Sequence, residues 1–341
     1  MAQIDKPNLH FTAFNFTGTG SANTQTGVGF TPDFFWLKNR NAAQGHCLID
    51  VVRGNNNYIS SHTTNAQLSD VGTVGIATDG YVFGSGDIFY NGSANNYTVW
   101  NWKGGGTGSS NTDGSITSSV SANTTSGFSI VKYTGTGAVA TVGHGLGVAP
   151  SMIIFKNLST TDNWNVFNTS QTNGKFIRLN EADAEGNTGR FNNTSPTSSV
   201  FSLGVNGANP VNGSGNNIIA YCFANVKGYQ KCGSYIGNGN TDGTFIYTGF
   251  KPAFYMYKRT DASANWTIFD NKRNTFNDMG LQLHPNLGNA EAFSSRGDFL
   301  SNGFKVRSSA GSTNASGGNY IYLAIAESPL VGSNGVPTTA R

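Results

Sequence analysis

Short apolar runs alternate with polar turn residues along almost the whole chain. The runs hold about four to eight residues, are rich in Phe, Tyr, Val, Ile and Thr, and are bounded by Gly, Asn, Asp and Pro, which is typical of β-strands. Helical periodicity is nearly absent, and the best helix candidate is the short stretch 180–186. In the first part of the chain the pattern predicts strands near 11–16, 33–38, 46–51, 57–60, 80–83 and 97–103. This strand density favours antiparallel β-sandwiches over βαβ units.

One motif occurs three times with constant internal spacing. Its copies begin with Gly29-Phe30-Thr31-Pro32, Gly147-Val148-Ala149-Pro150 and Gly249-Phe250-Lys251-Pro252. Each copy continues into an apolar run that ends, nine positions after its glycine, in Lys38, Lys156 or Lys258. Later in each copy come a strand-ending Asp50, Asn168 or Asp270 and an apolar strand that opens with Asn96, Asn217 or Asn319. A threefold internal repeat predicts one supersecondary unit used three times.

The repeat divides the chain into expected modules. We predict an all-β protein of three tandem antiparallel β-sandwich (jelly-roll-like) modules, at 8–103, 127–227 and 229–331. Residues 104–126 are rich in Gly, Ser and Asn and are expected to form a flexible linker, in which Ile116 and Val120 add a short edge strand. Residues 332–341 are expected to form an extended C-terminal arm. The modules could lie in a row or around a pseudo-threefold axis, and the repeat leaves both open.

Composition and charge exclude several classes of function. Charged residues make up 11% of the chain, against about 25% in ordinary soluble domains, and the net charge is +3. Lys and Arg are dispersed without a basic run, so we expect no nucleic-acid partner. The chain has no apolar stretch long enough to cross a membrane and no signal-peptide pattern at its start, so we expect a soluble protein that is not inserted in a membrane. Three unpatterned cysteines, at 47, 222 and 232, are expected to stay reduced.

The candidate chemical groups favour structural roles. Asp50 and Asp270 resemble the acid pair of a glycosidase, but Asn168 holds the equivalent place in the second copy, so we interpret all three as caps of turns. His144 lies between glycines and could contact a ligand, yet it has no counterpart in the other copies. The stretches 111–114 and 240–243 resemble calcium loops but lack the acidic spacing of such loops, so turns are preferred.

The aromatic residues raise the hypothesis of a sugar-binding protein. Trp100 and Trp102 alternate along one strand and therefore share a face, where core packing is the preferred interpretation. We also interpret Trp36, Trp164 and Trp266 as core, and His46, which takes the place of the latter two, as a packed residue. A sugar site would then use the variable loops 85–95 or 206–216. We predict no catalytic, cofactor or metal residues, and the ligand-binding residues stay unknown.

The repeat resembles a family of tandem-repeat virion structural proteins, either tail- or fibre-associated or on the capsid surface, from tailed bacteriophages of marine bacteria. The resemblance covers nearly the whole chain. It lies in Tyr/Phe-x-Gly-x-Gly, in Gly-Phe-x-Pro-x-Phe with the strand that follows, in Trp-x-Ile/Val-Phe-Asp/Asn, and in the ending 319–327 with 329–332 after it. The chain departs from complete long fibres because it has no heptads and no shaft repeat. The resemblance implies a β-rich particle component without enzymatic activity.

The expected function is that of a non-enzymatic bacteriophage virion structural protein. It would be attached to the particle as a tail- or fibre-associated adaptor or knob, or as a capsid decoration, and would display outward loops that aid host attachment. The alternative is a glycan-binding receptor-recognition lectin or, less favoured, a glycan-degrading tail enzyme. The expected partners are other virion proteins and a host cell-surface glycan, in a homo-oligomeric or multi-copy assembly, with no cofactor. The protein would be made in the bacterial cytoplasm and located in the virion.

Overall fold

The fold is all-β and built from antiparallel strand pairs, in agreement with the sequence pattern. The structure is a computed structural model and describes residues 4–69, 74–205 and 210–329. Within these ranges the helical elements are a 3-10 helix at Pro7–Leu9 and one α-helical turn, α1, at Gly311–Asn314. Neither reaches the length or the apolar character that a membrane crossing requires. We refer to residues 8–103, 127–227 and 229–331 as the first, second and third segments.

The first segment forms two main sheets. Its strands are β1 Phe11–Thr17, β2 Asn23–Thr26, β3 Phe34–Asn39, β4 His46–Asp50, β5 Asn57–Tyr58, β6 Leu68–Ser69, β7 Val74–Ala77, β8 Gly80–Phe83 and β9 Asn96–Trp102. One sheet has the order β1-β9-β3-β4, the second has the order β2-β8-β7, and β5 pairs with β6. The six strands predicted for this segment are all present, with ends that differ by at most two residues.

The second segment forms a larger sheet together with strands from the preceding residues 104–126. Residues from 104 to 227 form β10 Ser109–Asn111, β11 Ser118–Asn123, β12 Phe128–Thr134, β13 Ala140–Gly143, β14 Met152–Asn157, β15 Asn165–Asn168, β16 Lys175–Phe176, β17 Gly186–Asn187, β18 Val200–Leu203 and β19 Asn217–Phe223. The large sheet has the order β10-β11-β12-β19-β14-β15. Two small sheets pair β13 with β18 and β16 with β17.

The third segment has two sheets of four strands. Its strands are β20 Gln230–Ile236, β21 Phe245–Tyr247, β22 Phe254–Arg259, β23 Thr267–Asp270, β24 Met279–Gln282, β25 Ala292–Leu300, β26 Gly303–Val306 and β27 Asn319–Ile325. The sheets have the orders β20-β27-β22-β23 and β21-β26-β25-β24.

One four-strand order occurs in all three segments. The sets β1-β9-β3-β4, β12-β19-β14-β15 and β20-β27-β22-β23 are here called the inner sheets. The strand that follows each Gly-x-x-Pro motif is the third in its set, and its residues are buried almost throughout. This confirms the prediction of a central strand covered on both faces. The motif glycines at 29, 147 and 249 have φ values of +95°, +70° and +82°, which only glycine adopts without strain.

Successive residues of each inner sheet face opposite sides, as the two-residue period of a strand requires. In the first and second segments the two sides belong to separate clusters, and in the third segment both sides join one cluster. In β3, Phe35 and Leu37 pack with Tyr81 and other residues of the second sheet of the same segment. Phe34 and Trp36 instead join a cluster that also contains residues of the second and third segments. Each inner sheet therefore lies between its own second sheet and a centre that all three segments share.

Two expectations need correction. Residues 180–186 are not helical, because backbone groups there bond to the next segment: Ala182 O accepts the N–H of Ala264. Residues 104–126 are not a flexible linker along their whole length either, although the short edge strand expected within them is present. Their strand β11 pairs with β12 and contains Val120, while Ile116 forms an isolated parallel bridge with Val142. The expected arm at 332–341 lies outside the described residues.

Candidate functional site

The shared centre is a close-packed apolar junction. Trp102 of the first segment contacts Phe223 of the second and Phe254 of the third, with ring centroids 6.2 and 5.9 Å apart. Phe34 stacks on Tyr221 at 4.4 Å. The remaining cavity has a volume of about 10 Å³, roughly the space of one water, and its lining side chains are almost all apolar. Trp100 and Trp102 are buried here, which confirms the core interpretation and removes them as a sugar-stacking surface.

Around this centre, three ring nitrogens join neighbouring segments. Trp164 Nε1 donates to the carbonyl of Ser60 at 3.0 Å, and Trp266 Nε1 donates to that of Arg178 at 2.8 Å. His46 takes the third place, with its Nε2 2.9 Å from the carbonyl oxygen of His284.

The tautomer of His46 follows from its other neighbour. The Nε1–H of Trp36 donates to His46 Nδ1 at 2.8 Å, so Nδ1 is the acceptor and Nε2 carries the proton. Burial lowers the pKa of His46 well below its usual value, so the ring stays neutral. The interpretation of His46 as a packed residue is confirmed.

Backbone hydrogen bonds close the three segments into a ring of contacts. The N–H of Gln67 donates to Leu158 O at 3.1 Å, and the N–H of Glu185 donates to Thr260 O at 2.8 Å. The third bond returns to the start, from the N–H of Glu291 to Arg40 O at 2.9 Å. We call each contact between two segments a seam. The seam between the third and first segments also carries an ion pair between Arg40 and Glu291 at 2.8 Å. Each segment thus touches both of the others.

Asp50 and Asp270 are turn caps with a buried cationic partner. Their Oδ1 atoms accept the backbone N–H groups two and three residues later, at 2.9–3.0 Å, and Asn168 Oδ1 accepts that of Ser170 at 2.8 Å. Their Oδ2 atoms pair with Arg53 at 2.5 Å and with Arg273 at 2.6 Å. Both pairs are fully buried. The cap interpretation is confirmed, and each carboxylate has its own arginine partner.

The same carboxylates are bonded from across the seams. Tyr221 OH donates to Asp50 Oδ2 at 2.8 Å, and Trp100 Nε1 donates to Asp270 Oδ2 at 2.9 Å. Burial acts to raise the pKa of Asp270, but the Arg273 guanidinium outweighs it and leaves that pKa below its usual value. The sequence analysis did not identify the two arginines as partners of these aspartates. The signal was present, because Asp-x-x-Arg occurs at 50–53 and 270–273, whereas the copy with Asn168 has Gln171 in place of the arginine.

The three motif lysines are buried, and two of them bond across a seam. Lys156 Nζ donates to Thr64 O of the first segment at 3.0 Å, and Lys258 Nζ donates to Ala182 O of the second at 3.1 Å. Lys38 Nζ donates to Asn39 O at 2.6 Å. All three lysines are at most 1% exposed. Burial lowers the pKa of each from 10.5 to about 8.

Replacing Tyr221 by Phe tests the seam between the first and second segments. The change keeps the packed ring and removes only the hydroxyl that donates to Asp50. We expect the free energy of unfolding to fall by about 1–3 kcal/mol, because a buried charged acceptor loses a hydrogen bond. Urea denaturation measures this change, and Tyr247→Phe, at an exposed tyrosine, is the control. Equal stability of both variants would show that the hydroxyl contributes nothing across the seam.

The other sequence candidates lie apart from these seams. His144 is buried, with Nε2 3.1 Å from Thr197 O and Nδ1 accepting the N–H of Leu146, so both ring nitrogens are occupied within the fold. Asn111 and Asn240 accept the N–H groups of Asp113 and Asp242, which are the turns preferred above. Within the ranges that the structure describes, no three His, Cys, Asp or Glu side chains form a metal-binding group. The three cysteines are buried, and none of them is in a disulfide.

Comparison with known proteins places most of the chain in one family. A family model with the description "Domain of unknown function (DUF7483)" matches residues 6–329, so the match includes all three segments and the connection 104–126. No curated protein and no solved structure matches the chain significantly.

Proposed function

We propose that this chain, which belongs to the family described as a domain of unknown function (DUF7483), is a non-enzymatic structural protein of a bacteriophage virion. Its three segments would be β-sandwich modules of jelly-roll type, related by a pseudo-threefold axis through the shared centre. The body would attach to the tail, a fibre or the capsid surface and display loops outward that aid host attachment. The closed ring of equivalent seam bonds is the observation that carries this proposal.

The motif residues support a scaffold role. The lysines of the three copies donate to backbone carbonyls, and the Asp–Arg pairs are bonded from the neighbouring segment. These groups are held in place by the fold and lie out of contact with solvent. They stabilise the contacts between segments, so that three outward surfaces keep fixed positions relative to one another.

A body of this kind is suited to a symmetric partner. Three similar inner sheets around one centre present three similar sides, which match a site of threefold or sixfold symmetry in a multi-copy assembly. The outer regions differ among the segments: β11 pairs with the outer edge of β12 in the second segment, whereas β20 is the outermost strand of its sheet in the third. We therefore expect other virion proteins to be the partners, and the differing loops to contact the host.

Purified particles test the proposed location. Phage particles whose genome encodes this chain are to be banded in a density gradient, washed at high salt and analysed by mass spectrometry and cryo-electron microscopy. We expect mass spectrometry to find the chain in a fixed ratio to the other virion proteins. We expect the microscopy map to show density for a three-lobed protein on the tail or capsid. Its complete loss from washed, infectious particles would contradict the proposal.

A glycan array separates the structural role from the lectin role. With Trp100 and Trp102 buried, a sugar would have to bind at outer loops such as 85–95. The structural proposal expects no binding at millimolar sugar. Saturable binding of one glycan class, abolished by changes in such a loop, would instead favour the receptor-recognition lectin.

A further inference from the structure

The second segment has its open strand edges covered by the preceding stretch of chain. Strand β11 lies along the free edge of β12, with Ser119 opposite Lys132 and Ser121 opposite Ile130. A few residues earlier, the N–H of Ile116 donates to Thr141 O on β13 at 3.0 Å. Residues 109–123 therefore close both sheets of this segment on one side.

The third segment has the same two edges, and within 4–69, 74–205 and 210–329 no stretch of chain covers them as 109–123 covers those of the second segment. β20 and β21 hold the places of β12 and β13, and each pairs with one neighbouring strand only. The connection that precedes β20 is the short stretch 224–229, which bends tightly through a bond from Tyr229 N–H to Val226 O. The outward N–H of Cys232 is bonded by the Asn225 side chain at 2.7 Å. By the alternation of a strand, the N–H of Ser234 also points out of the sheet edge.

Exposed apolar side chains surround these edges. Ile236 at the end of β20 is 62% exposed, and Tyr247 on β21 is 59% exposed. Phe245 lies on the same outward side of β21 as Tyr247. The two edges are linked, since Lys231 Nζ donates to Tyr247 O at 2.8 Å. In the first segment the strand in this place, β2, has the polar sequence Asn-Thr-Gln-Thr.

A groove continues from the end of β20 towards the second segment. It has a volume of about 260 Å³ and is lined by Ser234, Ile236 and, across the seam, Ser170 and Gln171. At the seam between the first and second segments, Val52 holds the place of Ser170. There the chain that leads into residues 109–123 passes directly over Val52. A side-chain Cβ at Gly108 would lie only 3.3 Å from Val52 Cγ2. The groove is thus the part of the third segment that corresponds to a filled site in the second.

We propose that the edges of β20 and β21, with Ile236, Phe245 and Tyr247, bind an extended segment of another polypeptide by strand addition. Backbone groups of β20 would supply the hydrogen bonds, and the exposed apolar side chains would receive alternate residues of the added strand. The cover of the second segment indicates the chemistry of this partner: β11 reads Ser-Ser-Val-Ser-Ala-Asn, an uncharged strand of small hydroxyl and aliphatic residues. The inference follows from the strand edges and does not depend on a location in a virion.

Selection from a peptide library tests the site on the whole chain. A displayed library of random twelve-residue peptides is panned against the protein, and the selected peptides are measured on variants by calorimetry. Tyr247→Ser and Ile236→Ser should each weaken binding at least tenfold, and Ser234→Pro should do the same by removing the edge N–H. Val139→Ser is the matched control, because Val139 is equally exposed, at 60%, on the second segment. Hydrogen exchange should show added protection within 232–236.

The outcomes decide the proposal even if one variant unfolds. The serine variants alter only exposed side chains and are expected to keep the wild-type unfolding midpoint. They therefore test the binding site even if Ser234→Pro fails to fold. Absence of selected binders, or binders equally tight to wild type and to both serine variants, would overturn the proposal. So would a wild-type dimer in light scattering that becomes monomeric in Ile236→Ser, because the occupant would then be a second copy of this chain.

Discussion

Replacing Arg273 by Gln is expected to lower the free energy of unfolding by about 3–5 kcal/mol, because Asp270 is left as a buried carboxylate without its cation. Arg273 also donates to Ile268 O at 3.0 Å and pairs with Glu291 at 2.9 Å, so the change weakens the ring seam at the same point. Urea denaturation at neutral pH measures the loss. The destabilisation should extend to the whole chain, since the seam joins the third segment to the first.

The chain itself provides the matched control for this change. Asn168 and Gln171 hold the same two places in the second segment, so the double variant Asp270→Asn with Arg273→Gln introduces two residues that the fold already accepts at the equivalent positions. We expect it to cost less than Arg273→Gln alone, because no charge is left unpaired. Arg259→Gln, at a partly exposed pair with Asp261, should cost about 1 kcal/mol or less. A double variant less stable than the single one would contradict the role given to the buried charge.

The three motif lysines should raise the stability of the protein by about 3–4 kcal/mol between pH 7.5 and pH 9. The pKa of Lys38, Lys156 and Lys258 is about 8 in the fold and 10.5 for a free side chain. Between these values the unfolded chain binds more protons than the folded one, so raising the pH favours the folded state. Each lysine costs about 3 kcal/mol at neutral pH by the same relation.

Buried cysteines and tyrosines have the opposite effect on stability and limit the pH range over which stability rises. Burial raises the pKa of Cys222 to about 12 and also raises that of Cys232. Thiols in the unfolded chain lose their protons near pH 9, which lowers the stability of the fold as the pH rises further. Buried tyrosines with a raised pKa, such as Tyr221, act in the same way above pH 10. The gain in stability should therefore level off above pH 9.

Urea midpoints at half-unit steps from pH 7 to pH 9.5 measure this dependence. Lys258→Met should remove about one third of the rise, since three lysines share it, while Lys227→Met, at an exposed lysine, should leave the rise unchanged. A flat profile for the wild-type chain, or equal profiles for both variants, would show that the buried lysines are not the cause.

Local patterns predicted the strands well because the side chains that define them lie within a few residues of one another. The runs after Pro32, Pro150 and Pro252 became buried central strands, and Trp100 and Trp102 fell on one buried face. The caps formed by Asp50 and Asp270 also depend on backbone groups only two and three residues away. Such signals can be read without knowledge of the tertiary structure.

The partners across the seams could not be read in this way. Tyr221 and Asp50 are 171 positions apart, and nothing in either sequence neighbourhood specifies the other. Residues 180–186 have a helix-like composition, yet the carbonyl of Ala182 and the N–H of Glu185 bond to the third segment. These tertiary contacts outweigh the local preference of the stretch. The stretch 104–126 has the composition of a linker, but the free edge of β12 supplies the hydrogen bonds that order it.

By itself the sequence determined an all-β chain, the positions of its main strands and the side chains that face its interiors, because periodicity and turn residues act over short distances. Only the tertiary structure decided that the first and third segments meet and that Lys156, Lys258 and the Asp–Arg pairs bond across seams. It also decided that no other described strand covers the outer edges of β20 and β21. These features depend on which distant surfaces come together. That choice is made by packing and by the pairing of buried polar groups, which local spacing does not encode.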